Sequence, residues 1–376
     1  MKKMTILLRS NDIEYDSRVN KYLNFYKKFN IEHKVICWDR ENKKKSNENT
    51  LYFNLKVNNN MKEKALKYKL KWMIYSFLKL FKERKNYKVI HCCDLDCLIQ
   101  AIPMKIFGKK IIFDIFDWYS DSLEINNKLL KSIIINLERI SLRVSDYIII
   151  CEEEREGQIN YKHKKVFVLP NIPNLNVIKK ENIEKKENRL KICYIGTFYN
   201  GRNIDIMLKA CSELTTKVKL VIGGYGDRNL ENLIEDYSKK FDNIEYVGKI
   251  EYKKALEFMW ESDILYAMYC KINKNHIYAA PNKFYESLML KKPIITTKDT
   301  LIGEKVSKYK TGFVIEEDFK STKEILNYLF ENRDEIKEKE KKCGEVWEKK
   351  YETYVERFFQ NIYLKEILKN SRSDKK

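Results

Sequence analysis

The chain of 376 residues reads as two α/β halves, each a parallel sheet covered by helices on both faces. Three observations predict this. Short β-type runs alternate with amphipathic stretches along most of the sequence. A highly polar stretch, Lys179 to Arg189, divides that series in two. The length, at 44% hydrophobic residues, also exceeds what one compact core holds and suits two domains of ordinary size.

In the first half the β-type runs are Thr5–Leu8, Lys34–Trp38, Val89–His91, Lys110–Asp114 and Tyr147–Cys151. Between the second and third lies Met61–Phe81, where Leu66, Leu70, Met73, Phe77 and Phe81 recur at helical spacing with lysines elsewhere. Such a basic amphipathic helix either packs its apolar stripe on the core or lies on an anionic membrane surface. Residues 1–174 form the first predicted domain and 175–189 the linker. The second series runs Leu190–Gly196, Lys217–Gly223, Ile244–Val247, Ile264–Ala267 and Pro293–Thr297, within a domain assigned to residues 190–345. From about Ser321 onward the pattern is helical, ending in the basic tail Lys369–Lys376.

Lysine and arginine total 74 against 54 acidic residues, a net charge of +20 that attracts anions without naming one. Nine cysteines form no CxxC pair, and Cys92–Cys93 sits inside an apolar run, which points to reduced buried thiols and to neither a zinc site nor a disulfide framework. The N-terminal apolar run is too short for a signal peptide, and nothing approaches the roughly 20 apolar residues of a membrane span. A cytoplasmic protein is expected, with peripheral contact at the inner face of the plasma membrane through Met61–Phe81. The 25 tyrosines and 18 phenylalanines, beside a basic balance, admit stacking platforms for nucleic acid as the rival class. No binding module supports that rival, and the aromatics fall largely in core-like runs, so nucleic acid is not an expected partner.

The most informative segment is Ala280-Pro-Asn-Lys-Phe-Tyr-Glu-Ser-Leu-Met-Leu-Lys-Lys-Pro-Ile294, a loop opening a helix that leads to a β-run. Pro281 stands where its missing amide proton costs nothing, and Asn282 or the residues before Pro281 are available as the cap. Free N–H groups at this helix start, together with Lys283, make a positive end suited to a diphosphate, and Glu286 one turn later can accept from a ribose diol. Upstream, Gly196-Thr197 ends a strand and allows close backbone approach, while Arg202 offers paired N–H groups to phosphate oxygens. Val221-Ile-Gly-Gly-Tyr-Gly-Asp227, with Gly224 and Gly226, is a second glycine turn between strand and helix, and it is not G-x-G-x-x-G. In the first half Asp16 and Arg18 open a helix, with a capping role expected for Asp16, while His91 and Asp94 follow one strand and Asp117 the next. Ligands of open α/β sheets gather at those carboxyl ends.

The run PNKFYESL…PI closely resembles the donor-site motif of the family 4 glycosyltransferases, in which a K-x-x-E helix holds the nucleotide. Tyr194–Arg202 resembles the first strand and glycine loop of that family's second domain, and Asp16-Ser-Arg-Val19 resembles its first helix opening. The resemblance implies the GT-B architecture: two Rossmann-like domains with parallel sheets facing across a cleft, and residues 346–376 as a helix crossing back to the first domain. It implies retaining transfer of a sugar from a nucleotide-sugar, UDP- or GDP-linked, to a saccharide or lipid-linked acceptor in cell-surface polysaccharide or glycolipid synthesis. No cofactor or metal is expected, since the nucleotide-sugar is a substrate and the formal D-x-D of Asp94 and Asp96 falls in the predicted acceptor half. Asp117, Arg202 and Lys283 are the catalytic candidates. Donor binding is assigned to Gly196, Thr197, Arg202, Gly224, Gly226, Pro281, Asn282, Lys283 and Glu286, and the acceptor side to Asp16, Arg18, His91, Asp94 and Asp117. Two departures from the family pattern keep a nucleotide-sugar epimerase or an inactive partner subunit open as alternatives. Tyr278 stands where the family's first glutamate would, and Asp117 holds a position often occupied by histidine.

Overall fold

A computed structural model describes residues 4–14, 16–57, 65–122, 127–159, 161–162, 165–173, 188–272, 274–279 and 281–369. Most of the expected linker, the start of the Met61–Phe81 helix, Ala280 and most of the basic tail lie outside the described residues. The chain divides into two compact units, Met1–Pro170 with Val355–Lys376, and Asn171–Tyr354.

The first unit runs β1 (Met4–Arg9), α1 (Ser17–Lys28), β2 (His33–Asp39), β3 (Thr50–Asn54), α2 (Ala65–Glu83), β4 (Tyr87–Cys93) and α3 (Leu95–Leu98). It continues through a 3₁₀ segment, Ile99–Phe107, to β5 (Lys110–Ile115), α4 (Tyr119–Ser122), α5 (Lys128–Val144), β6 (Tyr147–Ile150), α6 (Arg155–Ile159) and β7 (Val166–Val168). All seven strands are parallel, in the order β3-β2-β1-β4-β5-β6-β7. Central strands such as β4 and β6 are apolar runs buried on both faces, as a helix-covered parallel sheet requires. The helical segment Phe358–Lys369 belongs to this unit and sets Phe359 and Tyr363 against Tyr22 and Phe25 of α1.

The second unit runs β8 (Leu190–Phe198), α7 (Ile204–Ser212), β9 (Val218–Gly226), α8 (Arg228–Lys240), β10 (Ile244–Tyr246), α9 (Tyr252–Glu261) and β11 (Ile264–Ala267). After it come α10 (Lys274–Ile277), α11 (Asn282–Leu290), β12 (Ile294–Thr297), α12 (Leu301–Tyr309), β13 (Gly312–Ile315), α13 (Phe319–Glu331) and α14 (Arg333–Val346). Its six parallel strands are ordered β10-β9-β8-β11-β12-β13. In both sheets the connections reverse direction beside the first strand, between β1 and β4 and between β8 and β11, which is where such folds bind ligands.

Three strands absent from the sequence reading, β3, β7 and β13, are all sheet edges with half-buried side chains. An edge strand needs no continuous apolar run, so periodicity does not reveal it. Helix α2 divides the expected apolar stripe. Its buried residues are Trp72, Ser76 and Leu80, with Met73 and Phe77 of the stripe packed half-buried against the core, whereas Leu70 and Phe81 are exposed. The nine cysteines are free and buried. Among the described residues no helix is long and apolar enough to cross a membrane.

Candidate functional site

In the second unit the ends of β8 and β9 lie side by side, Gly196 opposite Gly224 and Phe198 opposite Gly226. A Cβ on Gly224 would fall 1.8 Å from the Gly196 carbonyl oxygen, and one on Gly226 2.0 Å from that of Phe198. Only glycine lets these backbones approach so closely. The two amides are engaged internally: Gly224 N–H donates to the Gly248 carbonyl at 2.8 Å and Gly226 N–H to Glu231 Oε1 at 2.8 Å. These two glycines therefore shape the strand ends.

Above Gly196 lies the Lys283 ammonium. Its Nζ sits 2.7 Å from where a Gly196 side chain would begin and 5.4 Å from the centre of the Tyr194 ring. Lys283 is the second residue of α11, which it reaches because Phe284, Leu288 and Met289 bury the opposite side of that helix. Pro281 occupies the cap position with no side-chain hydrogen bond, and Asn282 is the first helical residue instead of a cap. Pro281 offers the amides of this first turn no side-chain cap, which leaves a positive helix end. Glu286 is buried one turn on, and its Oε1 accepts from Tyr252 Oη at 2.7 Å.

Arg202 enters the same region from the loop after β8. Its guanidinium stacks on the rings of Tyr269 at 3.8 Å and Tyr199 at 4.5 Å and donates to the Met268 carbonyl at 3.4 Å. Tyr199 is held in turn by His276, whose Nε2 lies 3.0 Å from Tyr199 Oη and whose Nδ1 faces the Cys270 carbonyl at 2.8 Å. A carbonyl only accepts, so Nδ1 carries the proton and Nε2 accepts from the tyrosine. Burial pushes the Lys283 ammonium below its ordinary range; Glu286 opposes this and the Arg202 charge adds to it. The two cations therefore share one electrostatic field. Thr197 is exposed beside them, with its carbonyl accepting from Tyr194 Oη at 2.8 Å. Tyr278 follows α10 and is partly buried.

Tyr199, Tyr252, Tyr269 and His276 were not expected at this site. They come from four separate segments and make contact only through the fold, so no spacing marks them.

In the first unit the carboxyl ends of β1, β4 and β5 gather a polar cluster. Arg9 bridges Asp16 at 2.8 Å and Asp94 at 2.6 Å, while Asp94 Oδ1 accepts the Phe116 and Asp117 amides at 2.9 and 3.4 Å. Asp16 caps α1 through the Arg18 and Val19 amides at 3.1 and 3.0 Å. Asp94 is pushed up to about 7 by burial, with Asp96 and Asp117 adding and Arg9 opposing. Asp96 accepts from Ser10 Oγ at 2.8 Å, and the exposed Asp117 carboxylate lies 3.5 Å from Arg155.

Arg18 and His91, expected on the acceptor side, are instead inside the unit. Arg18 pairs with buried Asp114 at 2.6 Å, and His91 lies between Asp114 at 3.3 Å and Tyr363 Oη at 2.8 Å. The Arg18 guanidinium and His91 hold the Asp114 carboxyl well below the usual carboxylate range against the cost of burial. His91, Cys93 and Asp114 place ligand-type atoms within 4.8 Å of one another. Arg18 already occupies the cation position on Asp114, and burial keeps the Cys93 thiol protonated, so the trio reads as a buried charge network.

Residues 177–350 match the family model described as glycosyl transferases group 1. Over these residues the second unit is similar to the group 1 glycosyl transferases. Gly196, Arg202, Lys283 and Glu286 all fall within the matched residues. An uncharacterized glycosyltransferase of Methanocaldococcus jannaschii is 26% identical over 163 residues, which are 38% of this chain and 39% of that relative. The chain thus spans about two-fifths of the length of the curated relative it matches. Among solved structures, sucrose-phosphate synthase from Thermosynechococcus elongatus, 14% identical, aligns with a TM-score of 0.69 over 92% of this chain and 96% of that one. HepE from Anabaena in complex with UDP, 11% identical, aligns with a TM-score of 0.66 over 92% and 94%. These likenesses establish the GT-B fold of two parallel-sheet α/β units.

Proposed function

We propose that the protein is a retaining, metal-independent glycosyltransferase that moves a sugar from a UDP- or GDP-sugar to a saccharide or lipid-linked acceptor in cell-surface polysaccharide or glycolipid synthesis. The observation that carries this reading is the meeting of Lys283, Arg202 and the uncapped start of α11 above a glycine that leaves room for them. Lys283 at the start of α11, within the field of the Arg202 charge, gives preorganised positive groups that stabilise a departing diphosphate without reorganising during the reaction. Gly196, Gly224 and Gly226 keep the strand ends free of side chains beneath the nucleotide, with Thr197 exposed at the rim. Pro281 and Asn282 set the entry angle of the helix, and Glu286 accepts from the ribose hydroxyls. HepE binds UDP in the same fold, which supports a uridine donor.

In the first unit Asp117 orients the acceptor hydroxyl, with Asp94 and Asp16 behind it. As the bond from the anomeric carbon to the phosphate oxygen breaks, that oxygen takes the acceptor proton and the new glycosidic bond forms on the same face. Positioning and charge then supply most of the rate. The enzyme acts in the cytoplasm, with its first unit meeting the membrane that carries the acceptor.

The test is calorimetric titration of UDP, GDP and ADP into the wild type, Lys283→Ala and Glu286→Ala, with turnover assays over a panel of nucleotide-sugars in EDTA. One nucleotide is expected to bind, each substitution to weaken it by about tenfold or more, and turnover to persist in the chelator. Unchanged binding by both variants would overturn the donor site. Isomerisation of the sugar without transfer would make the protein an epimerase.

A further inference from the structure

Exposed large apolar side chains concentrate in the first unit on three consecutive connections, α2, the Ile99–Phe107 segment and α5. Each makes a parallel crossover toward the same edge of the sheet, so right-handedness puts all three on one face. On α2 the outward stripe is Leu70, Ile74, Leu78 and Phe81, with Ile74 61% exposed, while Trp72 and Leu80 face the core. Phe81 meets Phe107 edge to face at 5.8 Å, and beside it Ile106 is 85% exposed. Beyond Ile106 a groove of about 600 Å³, lined by Ile102, Pro103, Val144, Arg143 and the ion pair of Lys105 with Asp146 at 2.8 Å, leads to α5. There Leu129, Leu130, Ile133 and Ile140 again face outward.

The charge on these elements is one-sided. α2 carries five lysines, Ile99–Phe107 one, and α5 four lysines and arginines, against two glutamates. Glu83 is ion-paired to Lys34 at 3.0 Å, and buried Glu138 accepts the Ser120 amide at 2.9 Å. Lys105 is paired to Asp146, and the remaining excess of lysine and arginine beside the apolar stripes complements an anionic bilayer. The α2 stripe also leads to the acceptor-side cluster, because Lys69, next to Leu70, lies 3.9 Å from Asp96.

We propose that this three-element face seats on an anionic lipid bilayer, its apolar stripes in the headgroup boundary and its lysines and arginines against the anionic headgroups. The proposal rests on the transferase reading and gives it a membrane-borne acceptor, presented along α2 to the Asp94–Asp96 side of the unit.

Flotation of the full chain with vesicles of phosphatidylcholine and phosphatidylglycerol, against phosphatidylcholine alone, tests it. The wild type is expected to float with the anionic vesicles and to bind neutral ones about tenfold or more weakly. The double variant Ile74→Glu/Leu78→Glu and the single variant Ile106→Glu should each lose about tenfold, while calorimetric UDP affinity stays unchanged. Lys71→Glu/Arg139→Glu, which leaves the apolar stripes intact, should lose affinity and much of its salt sensitivity. A wild type that stays unbound, or glutamate variants that float as it does, overturns the proposal. So does a dimer in light scattering that the same glutamates split, since a second copy would then cover the face. Flotation without nucleotide binding would sink the donor site while leaving this surface standing.

Discussion

Two residues show how far one side chain's surroundings set its chemistry. Gly196 serves a neighbour and not its own backbone angle, because the Lys283 ammonium lies in the space a methyl group would take. Gly196→Ala should displace Lys283 and weaken UDP binding by about tenfold in calorimetry, with a small change in melting temperature because the strand itself tolerates alanine. Lys21 illustrates the opposite case of a charge the fold disfavours. It is buried on α1 with one hydrogen bond, to the Pro170 carbonyl at 3.3 Å, and burial together with Arg18 pushes it down to about 7. The folded state therefore holds this proton less tightly than the unfolded chain, and stability from this group rises as pH climbs from about 7 toward the ordinary lysine value of 10.5. Lys21→Met should stabilise the protein by about 2 kcal/mol at pH 7, where the charge is costly. In denaturant titrations that gain should shrink as pH rises toward 10, and a variant no more stable than the wild type at pH 7 would contradict the account.

At the scale of elements, α1 owes its place to contacts made from the far end of the chain. Phe25 stacks on Phe359 at 4.5 Å, and Tyr363 Oη joins Tyr26 Oη to His91. Tyr363→Ala removes a buried aromatic and leaves two polar groups without their partner, a loss of about 4 kcal/mol. A lower denaturant midpoint for the first unit is the expected reading, with the UDP affinity of the second unit unaltered. The same scale explains why α2 was legible as a helix while the surface its apolar stripe meets was not. Its sequence has apolar residues on most of its circumference, so the 3.6-residue period identifies the helix without choosing which stripe packs. Trp72 settles the choice by filling the space beside Trp38, 6.2 Å away, and donating its Nε1 proton to the Asp96 carbonyl at 3.1 Å.

For the whole molecule, the chain leaves the first unit at Pro170, builds the second and returns at Val355. Two cores of this kind need not melt together. Because the proposed donor site draws only on the second unit, UDP at about 100 times its dissociation constant should stabilise that unit by about 2.7 kcal/mol. In calorimetry one transition should move upward and the other stay in place; a uniform shift of both would show that the units unfold as one.

Much of the proposed donor site is readable along the chain because its parts are local. A helix start, a lysine and a glutamate one turn apart, and glycines at strand ends each have a short-range cause. Central strands were readable for the same reason, since burial on both faces demands an unbroken apolar run. Edge strands β3, β7 and β13, the tyrosine clasp on Arg202, the inward turn of Arg18 and His91, and the outward face of α2 were not. Each depends on which distant segment arrives beside it, and a pattern of residue types carries that information only once the chain has closed on itself.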